Sequence, residues 1–139
     1  MNDKKLLKAA RNLLLDCAGL RRSDSLLIVR ENESLGWYKN DISDFILRSA
    51  KDIGIDAFLH EVGPPEISED ENFYKKMNQY SCVIFFARLG DQNRFENNGF
   101  STKRVMSYVR DCESLASTFG TLDYNLNILV KDAIDRLIE

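Results

Sequence analysis

The sequence predicts an α/β protein, a three-layer α/β/α sandwich around a mostly parallel sheet of about four strands. The first observation is that short, continuous apolar runs, such as residues 25–29 and 82–86, are typical of strands covered on both faces. The second is that segments of helical periodicity alternate with these runs. No linker, repeat or low-complexity tract divides the 139 residues, so residues 1–139 are expected to form a single domain.

The first helix and strand are predicted from apolar spacing. Apolar side chains recur at helical intervals over residues 4–18, and Gly19 follows as a helix stop. A polar turn then leads into Ser25-Leu26-Leu27-Ile28-Val29, which is too short and too uniformly apolar for a surface helix. We expect this run to be a central parallel strand.

The second helix and strand have clear boundaries. Asn40 or Asp41 can cap a helix with one apolar stripe that ends at Gly54. Residues 55–60 then read as a strand, and the following Pro64-Pro65 pair prevents its extension.

The later elements follow the same alternation. Residues 68–80 predict a short helix with an acidic start, and residues 82–86 a third buried strand. Residues 115–119 read as a fourth strand, and residues 126–137 as a final helix. Before that fourth strand, Ser101 is expected to cap a helix that carries apolar side chains at Val105, Tyr108, Val109 and Cys112.

Composition narrows the classes of function. The net charge of -3 argues against a general binder of nucleic acid or anionic membranes, and no apolar run approaches the roughly 20 residues of a membrane span. Three separated cysteines, Cys17, Cys82 and Cys112, fit buried reduced thiols, so a cytoplasmic protein is expected.

With one histidine and no CxxC pair, no metal site is predicted. Phosphate-binding glycine motifs and serine-hydrolase motifs are absent too, so no cofactor and no catalytic residue is assigned.

The polar residues that follow the strands predict a ligand site, because the carboxyl ends of parallel strands meet at one edge of the sheet. Two arginines after the third buried run could clamp a carboxylate or phosphate, and hydroxyls at the next helix start could add donors. The candidate ligand-binding residues are Arg88, Asp91, Gln92, Arg94, Ser101 and Thr102.

Three alternatives stay open at this edge. Asp91 could instead pair with Arg88 or Arg94 and only pin a loop. His60 beside Glu61 could be a general base with an orienting carboxylate, or a hydrogen-bonded structural histidine. Trp37 and Tyr38 could form an interface or hold the following helix to the core.

Seven short segments, taken in order, are typical of one known family of proteins. They are AARNLLLDC (9–17), LRRSDSLLIV (20–29), GIDA (54–57), PPE (64–66), CVIFF (82–86), STKR (101–104) and Asp123-Tyr124. Their order resembles the start of the thermophilic metallo-aminopeptidases of the aminopeptidase T type, which begin with a helix, a basic turn and an apolar strand. The likeness extends over most of the chain. Residues 115–120 depart from the glycine-rich strand that the family has there.

The resemblance implies an amino-terminal α/β domain whose partner is a later domain that holds the two metal ions and the catalytic residues. The leading hypothesis is therefore a non-catalytic domain of an aminopeptidase-like metalloprotein, which acts in oligomerisation or substrate gating, with a homo-oligomer or a carboxy-terminal domain as partner. The alternative is a stand-alone module that binds an anionic metabolite at residues 88–94.

Overall fold

The computed structural model describes residues 3–65, 71–90 and 102–115. Its centre is a four-stranded, all-parallel sheet in the order β2-β1-β3-β4. The strands are β1 (Ser25–Glu31), β2 (Asp56–Val62), β3 (Cys82–Phe86) and β4 (Lys103–Met106). The α/β class with a mostly parallel sheet is thus confirmed.

Helices cover both faces of the sheet. Helix α1 (Asp3–Arg11) continues as a π-helical stretch, Asn12–Cys17, and packs with α2 (Asn40–Ile53) and α4 (Cys112–Leu115) on one face. Helix α3 (Glu71–Met77) lies on the other face. The result is a helix layer on each side of the sheet.

The two faces of β1 and β3 explain why their sequences are continuously apolar. Leu26 and Ile28 contact the α1–α2 layer, whereas Leu27 and Val29 contact the α3 layer, and all four are fully buried. Because side chains alternate along a strand, burial on both faces requires an unbroken apolar run. All five residues of β3 are buried for the same reason.

Most of the predicted elements are present. Helix α2 begins at Asn40 and ends at Ile53. The next residue, Gly54, has a φ of 102°, and its N–H donates to Ala50 O and Lys51 O and so caps the last turn. Strand β1 runs two residues beyond the predicted end, to Glu31, and β2 likewise reaches Val62. Helix α3 ends at Met77, three residues before Tyr80.

The region from residue 103 onward differs from the prediction. The helix expected after Ser101 is wrong, because Lys103–Met106 forms β4 and pairs with β3 in parallel. The spacing of Val105, Tyr108 and Val109 fits a helix, but the free edge of β3 offers backbone partners to a short extended segment. Leu115 ends helix α4 rather than starting a strand. The remainder of that expected strand, and the expected final helix, lie outside the described residues.

Candidate functional site

The strand order reverses direction between β1 and β3. From β1 the chain passes to β2 on one side, and it later returns to β3 and β4 on the other side. In open α/β sheets the crevice at such a reversal, beyond the carboxyl ends of the strands, is where ligands bind. Here Glu31 is the last residue of β1, and Arg88 lies two residues after the end of β3.

Glu31 is a buried charge at the end of β1. It shares a face with Leu27 and Val29, and only 1% of its surface is exposed. A carboxylate in such a place is costly unless it is paired and hydrogen-bonded. Both requirements are met by Arg88, whose backbone N donates to Oε1 at 3.2 Å and whose Nε lies 3.0 and 3.1 Å from Oε1 and Oε2.

Arg88 is held on a second side by Trp37. Its guanidinium carbon lies 4.7 Å from the centre of the indole ring, within the range of a cation–π contact. About a third of the Arg88 side chain and 47% of Trp37 are exposed to solvent. Among the described residues, Nη1 and Nη2 of Arg88 have no hydrogen-bond partner. The arrangement therefore presents two coplanar, positively charged donors at the edge of the sheet.

The loop that carries Trp37 is built by local capping. Asn32 accepts a hydrogen bond from Ser34 N at 2.9 Å, which starts a short 3-10 helix, Glu33–Leu35, and Gly36 closes it with a φ of 84°. The Glu33 carboxylate accepts from Asn40 N at 2.6 Å and so caps α2. These contacts place Trp37 between the end of β1 and the start of α2.

Tyr38 is buried beside the exposed Trp37. Its hydroxyl donates to Ser107 O at 2.9 Å, which ties the loop after β1 to the chain after β4. Tyr38 thus belongs to the core, whereas Trp37 belongs to the surface of the edge.

A shallow cleft of about 520 Å³ opens next to Trp37. It is lined by Glu33, Gly36, Trp37, Tyr38, Lys39, Arg110, Asp111 and Ser114. Asp111 Oδ1 accepts from Ser114 N at 2.7 Å, and the hydrogen bonds from Ser114 hold the pKa of Asp111 below its ordinary value. This carboxylate is therefore engaged in the local turn and starts helix α4.

The structure separates several residues that the sequence grouped. Thr102 lies at the amino end of β4, at the opposite edge of the sheet from Arg88. It is buried, and its hydroxyl is 3.2 Å from Met77 O and 3.1 Å from Tyr80 O. Its contacts join β4 to the end of α3. Asp91, Gln92, Arg94 and Ser101 lie outside the described residues.

His60 and Glu61 do not form a pair with each other. His60 faces α3, with Nδ1 3.0 Å from Lys76 Nζ and its ring 5.4 Å from that of Phe73. Glu61 faces the α2 side, where Oε1 lies 3.4 Å from Arg30 Nε. Adjacent residues on a strand point to opposite faces, so a carboxylate at position 61 cannot orient the imidazole at position 60.

Sequence reasoning missed the role of Glu31 and of Trp37. The signal for Glu31 was available, since a two-residue period from Leu27 and Val29 places position 31 on the buried face. A charge on such a face requires a partner of opposite charge. Nothing in the sequence indicated which arginine would supply it.

Within the described ranges, no group of three histidine, cysteine, aspartate or glutamate side chains could hold a metal ion. In the same ranges, no helix has the length and apolar character needed to cross a bilayer.

Comparisons with known proteins identify the class of fold. No protein-family model matches the sequence, and no curated protein matches it. The fold is similar to the solved structure of 2,5-dihydroxypyridine dioxygenase from Pseudomonas putida KT2440, with a TM-score of 0.53 and 8% sequence identity. The match covers 77% of this chain and 35% of that chain, so this chain corresponds to about a third of the longer protein. At this identity the likeness describes the fold alone.

Proposed function

We propose that the carboxyl edge of the sheet binds a small anionic ligand through Arg88. The observation that carries the proposal is the way in which Arg88 is held. Glu31 engages Nε at 3.0 and 3.1 Å, and Trp37 covers the guanidinium at 4.7 Å from the ring centre. The Nη1 and Nη2 donors keep a fixed plane, so little side-chain entropy is lost when a ligand binds.

The chemistry of these donors defines the ligand class. Two parallel N–H groups on one planar cation match the two oxygens of a carboxylate or two oxygens of a phosphate. Glu31 is buried and already satisfied by Arg88, so it positions the arginine without competing for the same two donors. The site at the strand reversal is therefore suited to an anionic metabolite.

The test exploits the single tryptophan of the chain, Trp37, as a fluorescence reporter inside the site. Acetate and inorganic phosphate are titrated into the full 139-residue chain at constant ionic strength, with chloride as the background. We expect saturable binding with Kd on the order of millimolar. Arg88→Lys keeps a charge for Glu31 but loses the planar fork, so binding should weaken about tenfold or more.

A matched control lies at the other edge of the sheet. The Arg21 guanidinium there donates to Leu20 O at 2.9 Å, and Arg21→Lys should bind both anions as the wild type does. Since a change at Arg88 also alters the surroundings of Trp37, the ligand-dependent rise in Tm provides a second measure. The proposal fails if the wild type shows no saturable response, or if Arg88→Lys binds as tightly as the wild type.

A second candidate function follows from the likeness of residues 9–17, 20–29 and 82–86 to the start of the aminopeptidase T type. In this proposal the chain is the non-catalytic, amino-terminal α/β domain of an aminopeptidase T-like protein of the cytoplasm, and it contributes to oligomerisation or substrate gating. An anion site at Arg88 is compatible with such a role.

The native product distinguishes the second candidate. Immunoprecipitation from source cells followed by intact mass measurement should give a species much heavier than 16.0 kDa. The isolated chain should not cleave aminoacyl reporter substrates with added zinc, cobalt or manganese. A native mass of 16.0 kDa, or robust turnover by the isolated chain, would remove this candidate and leave the anion site as a property of a stand-alone protein.

A further inference from the structure

Arg110 contacts the same tryptophan as Arg88 but belongs to the chain after β4. It follows β4, which is separated from β1 by β3. Its Nε donates to Trp37 O, its Nη2 donates to Gly36 O at 3.0 Å, and its own carbonyl accepts from Lys39 N at 2.8 Å. The chain after β4 is thus fastened to the loop after β1, across the end of β3 where Arg88 emerges.

The two guanidinium groups are close enough to share one ligand. The Arg110 guanidinium carbon lies 5.7 Å from the centre of the Trp37 ring, and that of Arg88 lies 4.7 Å from the same point. The two carbons are therefore within about 10 Å of each other. A ligand that contacts both guanidinium groups therefore has to bridge no more than this distance.

Arg110 keeps a donor for a ligand. Its Nε and Nη2 are used by the loop, whereas Nη1 has no hydrogen-bond partner in the described part of the chain. The acids of the adjacent cleft accept from backbone N–H groups, Glu33 from Asn40 N and Asp111 from Ser114 N. The hydrogen bonds from Ser114 and, to a smaller extent, the charge of Arg110 hold the pKa of Asp111 below its ordinary value, so Arg110 also faces this carboxylate. Its Nη1 is the donor left for a ligand.

We infer that Arg110 is a second anchor for the ligand of Arg88, and that this ligand carries two anionic groups on one short molecule. This inference rests on the anion site proposed above. One group lies on Nη1 and Nη2 of Arg88, and the other lies on Nη1 of Arg110, at the mouth of the cleft beside Trp37. Dicarboxylates and diphosphates share this chemistry.

The experiment compares probes that have one and two anionic groups. Acetate is paired with succinate, and inorganic phosphate with pyrophosphate, all titrated at constant ionic strength into the full chain with Trp37 fluorescence as the readout. We expect the two-group probe of at least one pair to bind about tenfold more tightly than its one-group partner, because the second contact is intramolecular. The pair with the larger ratio identifies carboxylate or phosphate as the preferred group.

The Arg110 variants separate binding from a structural role. Arg110→Gln should reduce the two-group to one-group affinity ratio to about 1, and Arg110→Lys, which retains the charge, should preserve part of it. Arg21→Gln at the opposite edge, which also removes hydrogen bonds to main-chain carbonyls, should leave the ratio unchanged. The Tm of each variant without ligand reports damage to the fold.

The outcomes distinguish this inference from the proposal on which it rests. If the wild type binds no anion, the anion site itself fails. If it binds one-group and two-group probes equally, or if Arg110→Gln keeps the full ratio, the second anchor is overturned while the Arg88 site stands. A ratio that falls equally in Arg110→Gln and Arg21→Gln also overturns it, because the effect is then not local to the site.

Discussion

The two edges of the sheet join β1 to β3 through different kinds of contact. At the amino edge, the starts of β1 and β3 are joined by neutral groups: Ser25 N donates to Ser81 Oγ at 3.2 Å, and Ser81 N donates to Ser25 Oγ at 2.9 Å. At the carboxyl edge, the same two strands are joined by the ion pair between Glu31 and Arg88. The reciprocal serines direct both backbone N–H groups and one hydroxyl donor at each other. Arg88, in contrast, keeps Nη1 and Nη2 without a protein partner in the described structure.

The difference supports the carboxyl edge as the place of the proposed anion site. Neutral hydrogen bonds between exposed strand starts contribute modestly and leave little to offer a ligand. An ion pair between a buried carboxylate and a partly exposed arginine stabilises the junction of two strands less than its attraction suggests, because desolvation of the charge offsets much of that attraction. Such an arrangement is expected where the arginine has a second use.

The largest effect is expected for removal of the arginine. Arg88→Ala leaves the buried Glu31 carboxylate without its cation, so the free energy of unfolding should fall by about 3–5 kcal/mol in urea denaturation. Adding Glu31→Leu to Arg88→Ala removes the uncompensated charge and should recover a large part of the loss. If Arg88→Ala costs less than 1 kcal/mol, or if the double variant is no more stable than the single one, the ion pair is not what holds this edge.

Close packing beside the arginine gives the next effect. A Cβ at Gly90 would lie 2.4 Å from Phe85 Cβ and Cγ and 2.9 Å from Met106 Sδ, so Gly90→Ala should cost about 1–3 kcal/mol through displacement of the core. Gly36→Ala is the matched control: its Cβ meets nothing within 4 Å, and only the φ of 84° opposes it, at about 1 kcal/mol. A smaller effect at Gly90 than at Gly36 would contradict this packing.

A smaller effect is expected at the amino edge. Ser81→Ala removes the acceptor of Ser25 N and the contact between the two hydroxyls at 3.2 Å, and it should cost about 1 kcal/mol, since water can replace these bonds. Urea denaturation of Ser81→Ala and Arg88→Ala compares the free energies of unfolding of the two variants. An equal loss in both would show that the two edges do not differ in how strongly they hold β1 and β3.

The smallest effect concerns alkaline pH at the same edge. Burial, with a further contribution from Asp24, raises the pKa of Cys82 from 9.0 to about 12. The folded state therefore favours the thiol, and its contribution to stability is complete below pH 9 and is lost as pH rises from 9 towards 12. Between pH 8 and 9.5 the free energy of unfolding should fall more steeply in the wild type than in Cys82→Val, by less than about 1 kcal/mol over this range. Parallel pH profiles of the two proteins would refute this.

The architecture was largely determined by the sequence. The unbroken apolar runs of β1 and β3 could only be buried on both faces, and the stripe of α2 between Asn40 and Gly54 defined a helix with both of its ends. These patterns depend only on the apolar character and the spacing of neighbouring residues. They can therefore be read from the sequence without knowing which strands pair in the fold.

Two features were decided by the tertiary structure. The apolar residues from Val105 to Val109 have the spacing of a helix, yet Lys103–Met106 is a strand. The reason is that the open edge of β3 supplies hydrogen-bond partners, which no local pattern reveals. The union of Glu31, Trp37, Arg88 and Arg110 likewise depends on the strand order, which brings the ends of β1, β3 and β4 to one edge. Residues up to 74 positions apart in sequence meet there, because backbone pairing between strands fixes their separation in space.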